Sequence, residues 1–243
     1  MSINTFLRRR NALNNAGGFN FTTDLMAYWK LATNSLDSSI NGNDGVDLNM
    51  TYSGGYAEFG AGNKKITVPD TNDLSFTDGV NDLSAHILIS FIWLDKSSSQ
   101  FIFIKRNAGE QLEWQILNFS GNLAFYLQSP TAESFIYINI PNGSISLGVL
   151  NTLQFSYDGS KLHTGIKAYL NGNTSVGTTA SSLDTYTGQV NGTADVTLGN
   201  ASWSLSPYFR GNGKEWAVWK DRTMSGLEIQ EIHDRVIAGT PLI

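Results

Sequence analysis

The chain predicts an all-β fold: two antiparallel sheets packed face to face as a sandwich, with one short C-terminal helix and an N-terminal arm. Short segments of alternating apolar and polar residues recur from Leu25 onward, and Gly, Asn and Asp punctuate them. Helical periodicity is confined to the stretch after Ser225. Many short strands without intervening helices build sandwiches or barrels. The lack of a fixed sequence period argues against a propeller or solenoid.

The elements follow in order. Residues 1–22 read as the arm, with Phe6 and Leu7 ahead of Arg8, Arg9 and Arg10, and with Asn14 to Gly18 as a flexible joint. Such an arm is disordered or is ordered by a partner. Residues 23–243 form one domain, a size that single all-β units reach. His86 to Leu94 is a near-continuous apolar run, suited to a central strand covered on both faces. Gln100–Lys105, Leu112–Phe119, Leu123–Gln128 and Phe135–Ile140 follow at short spacing, then Thr152–Tyr157, Ile166–Leu170, Val196–Leu198 and Glu215–Trp219. Ser225 and Glu228 form a capping box. Leu227, Ile229, Ile232, Val236 and Ile237 then favour one face, and Gly239 with Pro241 stops the helix, which is expected to close one end of the sandwich.

Composition limits what such a domain does. The charged share of 15% is well below the globular norm and the hydrophobic share of 41% slightly below it, with Ser, Thr, Asn and Gly filling the difference. A net charge of −5 argues against a nucleic-acid duplex as partner, because phosphate binding needs clustered Lys and Arg. The one basic cluster lies in the arm, where it reads as a solvated tail or a docking segment. The chain has 0 cysteines, so neither disulfides nor thiolate metal sites staple it, and a core of this size needs neither. No apolar run spans a bilayer, and none follows the arginines as in a secretory leader. The expectation is a chain made and folded in the cytoplasm, or one trimmed of its leader, without membrane insertion.

The loop from Asp37 to Gly45 is rich in Asp, Asn and Gly, which tolerate left-handed backbone angles and offer several oxygens to one hard cation. Behind it come Phe59-Gly60, Ile66-Thr67-Val68-Pro69, Tyr157-Asp158-Gly159 and Tyr169-Leu170-Asn171-Gly172, then Leu198-Gly199-Asn200 and Gly211 to Ile229. Taken in that order, from Leu25 to Ile237, these motifs resemble the laminin-G-like, concanavalin A-like jelly-roll family of lectin, glucanase and adhesion modules. The chain departs from the pattern at Ile40, where the family carries Gly, and by an inserted residue near Lys220-Asp221.

The resemblance implies a structural calcium where the early loop meets the last strand. Asp37 would be a side-chain ligand, Asn43 and Asp44 would give carbonyl or carboxylate oxygens, and Glu215 would approach from the final strand. Asp37 and Asn43 equally read as turn-capping residues that bond only to backbone.

Catalysis is not expected. A glycosidase needs two carboxyls across a sugar cleft; the strand-borne acidic pattern of such enzymes is missing, and the nearest approach is Glu110 with Glu113. His86, His163 and His233 lie in separate elements, with His233 read as a helix surface residue. For sugar recognition the aromatic-rich loop Trp203 to Arg210 stands out, with Trp203, Tyr208 and Arg210 as contacts and Asn200 and Asn212 as polar partners. Trp203 also reads as core. Trp93, Trp114, Phe119, Phe125 and Tyr126 are expected to be mostly interior-facing.

The leading functional expectation is a non-enzymatic virion structural protein of a bacteriophage, displaying a lectin-like sandwich on the capsid or tail surface. Its arm would dock to other virion proteins or to copies of the chain, and its rim would adhere to glycans. The alternatives are a carbohydrate-binding or adhesion module of a secreted bacterial protein, and, third, a glycoside hydrolase.

Overall fold

The computed structural model describes residues 18–60, 63–106, 112–119, 121–129, 134–173, 175–182, 186–201 and 208–243. Alternating apolar positions pair into two antiparallel sheets. The seven-stranded sheet runs β12 (Ile166–Leu170), β11 (Leu150–Tyr157), β6 (Ala85–Trp93), β15 (Gly211–Lys220), β4 (Tyr56–Glu58) and β3 (Thr51–Ser53). Its remaining member, β1 (Leu25–Trp29), shares the free edge of β15 with β4. The eight-stranded sheet runs β13 (Thr178–Ser182), β10 (Phe135–Pro141), β9 (Asn122–Gln128), β8 (Leu112–Phe119), β7 (Gln100–Arg106), β14 (Val196–Leu198), β5 (Lys65–Val68) and β2 (Val46–Leu48). This is the expected sandwich. The edge pieces β2, β3 and β4 are too short to stand out in the sequence.

The core lies between the sheets. β6 is central, and Ile87, Ile89, Phe91 and Trp93 point from it into that core. Trp29, Phe103, Trp114 and Trp216 meet them there, with the Phe103 ring edge-on to Trp114 at 4.9 Å. Each fully buried side chain of this size stabilises the fold by about 1.5–3 kcal/mol.

Of the alternate residues of β6, His86 and Leu88 face outward and are buried too, because the C-terminal helix α1 (Gly226–Ala238) covers them. The capping box forms as expected: Ser225 Oγ accepts the Glu228 amide, and Glu228 Oε2 accepts the Ser225 amide at 2.8 Å. Gly239, at φ 69°, supplies the left-handed C-cap. Ile229, Ile232 and Val236 pack on Leu25, Tyr28, Leu88, Ala217 and Trp219. The helix thus seals the outer face of the seven-stranded sheet instead of closing an end. Leu227 and Ile237, expected on its apolar stripe, are solvent-exposed, since a spacing of three to four residues from Ile229 leaves room for a narrower stripe only.

The arm boundary moves as well. Phe21 is buried in this helix-side cluster, Phe19 packs against it, and Trp219 Nε1 donates to the Phe21 carbonyl at 2.8 Å. Residues 19–22 therefore belong to the sandwich. Phe6, Leu7, Arg8, Arg9 and Arg10 lie outside the described residues.

Candidate functional site

The loop that opens the domain is built around one carboxylate. Asp37 Oδ1 accepts the amides of Tyr28 and Ser39, and Oδ2 accepts the Ser39 hydroxyl and the Asn43 amide, all between 2.7 and 2.9 Å. Asp44 Oδ1 accepts the Asp37 amide at 2.8 Å. Asn43 is buried: its carbonyl accepts Trp29 Nε1, its side-chain amide donates to the Met26 carbonyl, and its Oδ1 accepts the Thr71 hydroxyl. Gly45 closes the loop where a Cβ would come within 2.4 Å of Ile66 Cγ2.

Glu215 does not join this group. The strand bulge between Gly213 and Trp216 aims it at the helix side, where Oε2 accepts the Tyr28 hydroxyl at 2.6 Å and burial raises its carboxyl above the usual range. Asp37, Asn43 and Asp44 do come together, but both Asp37 carboxylate oxygens, both Asn43 oxygens and Asp44 Oδ1 already receive protein donors. Among the described residues no group of three or more His, Cys, Asp or Glu is placed to hold a metal. This donor set does not fit a calcium cage, which needs about six to eight free oxygens. What it does fit is the turn-capping reading.

The proposed sugar contacts sit in different surroundings. Trp203 lies outside the described residues. Asn200 is buried, donates to Asn63 Oδ1 and accepts the Ala201 amide, so it holds its own turn. Asn212 is a half-buried ladder residue opposite Ile92 and Glu58. Tyr208 and Arg210 stay together at the rim, with the guanidinium 5.3 Å from the ring centroid and an ion pair from Arg210 to Asp95. Hydrogen bonds from Ser97, then Arg210, hold the Asp95 carboxyl down at about 2. Asp95 in turn raises Arg210.

The outer face of the eight-stranded sheet carries an aromatic cluster of its own. On β9, Leu123, Phe125 and Leu127 enter the core, so Tyr126 points out; on β10, Ile136, Ile138 and Ile140 enter, so Phe135 and Tyr137 point out. Register sets Tyr126 directly opposite Tyr137. Their rings stack at 5.0 Å and 21°, and Phe135 meets both at 5.3 and 5.7 Å. All remain half-exposed. Gln115 stands opposite Tyr126 on β8, and Ala180 stands opposite Tyr137 on the edge strand β13. Parallel rings at 5 Å across neighbouring strands present their faces along the sheet, so the outer face of Tyr137 looks over small Ala180.

Tyr126 was expected inside and is not; Phe119 is likewise exposed, at the end of β8. Trp93, Trp114 and Phe125 are buried as expected. Phe135 and Tyr137 were missed as site residues. Their i, i+2 spacing on a strand was visible, but which face of that strand is open was not.

Glu110 lies outside the described residues, and Glu113 is fully buried, 3.3 Å from Lys105. His233 is not a plain surface residue, because its Nδ1 is 2.8 Å from the Thr152 hydroxyl. No described helix is long and apolar enough to cross a membrane.

No protein-family model and no curated protein sequence matches the chain. Solved structures do resemble it. Domain 4 of AbnA, a GH43 extracellular arabinanase from Geobacillus stearothermophilus solved with arabinotriose, aligns at TM-score 0.63 and 16% identity, covering 86% of this chain and 98% of that one. A structure of botulinum neurotoxin type C, whose cell entry depends on interaction with two ganglioside molecules, aligns at 0.64 and 14%, covering 89% and 52%. A Trypanosoma rangeli sialidase in complex with a difluoro-KDN aligns at 0.62 and 11%, covering 88% and 33%. The chain thus spans about half the length of the toxin structure and a third of the sialidase. At these identities the likeness establishes the fold, a β-sandwich.

Proposed function

We propose that the protein is a glycan-binding module that holds its ligand without turning it over, and that the open sheet face around Tyr126, Phe135 and Tyr137 is its contact surface. The observation that carries this is the stacked Tyr126–Tyr137 pair left half-exposed on a sheet whose opposite face is packed solid. An aromatic face beside small and amide side chains suits a sugar ring, whose C–H face is apolar and whose rim is hydroxylated. The arabinotriose complex and the ganglioside-dependent toxin belong to proteins of the same fold and support the reading by analogy. Absence of turnover is supported by the placement of Glu113 and Glu215, both buried and hydrogen-bonded away from that face.

The finer setting we propose is display on a bacteriophage capsid or tail, with the arm docking through Phe6, Leu7 and Arg8 to Arg10. Its support is the sequence of the arm alone. The alternative setting is the surface or secretome of a bacterium. Glycan-array binding by the purified chain tests the module, and mass spectrometry of purified particles tests the setting. An array without any bound glycan would remove the functional reading.

A further inference from the structure

Lys105 occupies an inward strand position. Its partners across the ladder, Trp114 on β8 and Val196 on β14, both point into the core. Lysine is almost never fully buried unless paired, and here the side chain is 0% exposed and meets two carboxyls at once. Asp70, on the turn after β5, contacts Nζ directly. Glu113 Oε1 lies 3.3 Å from Nζ and is itself 0% exposed. The Ala194 carbonyl takes a further Nζ hydrogen at 3.0 Å, and the Gly192 amide donates to Glu113 Oε1. Glu113 Oε2 is buried without a partner. Phe76, stacked on Trp114 at 5.4 Å, belongs to the apolar wall on this side.

We propose that Lys105 and Asp70 become joined by an intramolecular amide bond after folding, with Glu113 as the proton carrier. Transfer of one proton within the ion pair, from Nζ to the Asp70 carboxylate, gives the neutral amine and neutral acid that react. The Nζ lone pair attacks Asp70 Cγ; the new C–N bond forms as the carbonyl electron pair moves onto oxygen. Glu113 takes a proton from Nζ and returns it to the departing hydroxyl, the C–O bond breaks, and water leaves. Amine plus acid gives amide plus water, with no change of oxidation state and Glu113 regenerated.

The site supplies what that reaction lacks in solution. The Lys105 amine and the Asp70 carboxyl are held in contact, which replaces a bimolecular encounter. Burial pushes the Glu113 carboxyl up to about 7 against the pull of Lys105, so it gives and takes a proton near neutrality. The Asp70 side chain is 29% exposed, giving the water a way out.

Intact-mass measurement of the purified full chain tests this. The protein should weigh one water less than its sequence, about 18 Da, and a digest should contain a branched peptide linking Lys105 to Asp70. Lys105→Arg, which keeps the charge without an acylable amine, and Glu113→Gln should both stay at their sequence masses, with circular dichroism checking that each retains the sheet fold. A wild-type chain at its full sequence mass, or a water loss mapping elsewhere, overturns the proposal. Water loss that persists in Glu113→Gln overturns the role of Glu113.

Discussion

The two outer faces of the sandwich are made from the same kind of alternating strand and end in opposite states. On the seven-stranded sheet, Tyr28, Leu88, Ala217 and Trp219 form an apolar strip that α1 covers, and even His86 and Gln154 are sealed beneath it. On the eight-stranded sheet, the outward positions of β9 and β10 keep Tyr126, Phe135 and Tyr137 half in solvent. The difference teaches that aromatic content alone does not mark a core. What marks it is whether a second element of matching apolar width lies over the strip.

Mutation breaks the comparison most sharply on the covered side. Ile232, on the inner face of α1, is fully buried, and Ile232→Asp, which places an unpaired charge there, should cost about 4 kcal/mol by urea unfolding. Tyr137→Ala on the open face should cost under about 1 kcal/mol in the same assay.

Acid should also act through the covered face. His86 Nε2 lies 3.0 Å from Gln154 Oε1, and Gln154 Nε2 donates to the Ile229 carbonyl, so Nε2 carries the imidazole hydrogen. Nδ1 is left buried and unpartnered, and burial pushes the imidazole down to about 4. The folded pKa lies below the unfolded one, so stability is full above about 6.5 and is lost as pH falls toward 4. We expect a loss of roughly 2–3 kcal/mol between pH 7 and 4.5, and His86→Gln should flatten that slope.

Binding sharpens the comparison from the other side. Tyr137→Ala should weaken affinity for an array-positive glycan about tenfold, equivalent to roughly 1.4 kcal/mol. An unchanged affinity would move the site to the Tyr208–Arg210 rim. The smallest effect concerns the loop at Asp37: because its carboxylate is filled by protein donors, a chelator should leave the melting temperature where it was, whereas a bound calcium would raise it on re-addition.

The strands from β6 to β12 and the capped helix were legible because period two and the Ser225–Glu228 box are local signals. What needed long-range pairing was not. Phe125 and Tyr126 are adjacent aromatics, and only the packing of β9 between its neighbours decides which one is inside. The Asp37 loop reads the same whether it folds around a cation or around backbone amides, because both uses want short acidic side chains and glycine. Glu215 turns away from it through a bulge, which no local pattern announces. Lys105 stood at the end of an apolar run and read as a strand boundary; its burial comes from carboxyls on distant segments.

The pairing of β1 with β15 sets when the molecule can be finished. Trp29 lies opposite Trp216, so the first described strand waits for the last described one to leave the ribosome, and β6 lacks its central neighbour until then. Such long-range closure is slow. Synthesis therefore passes through a stage in which the β15-facing edge of β6 is bare.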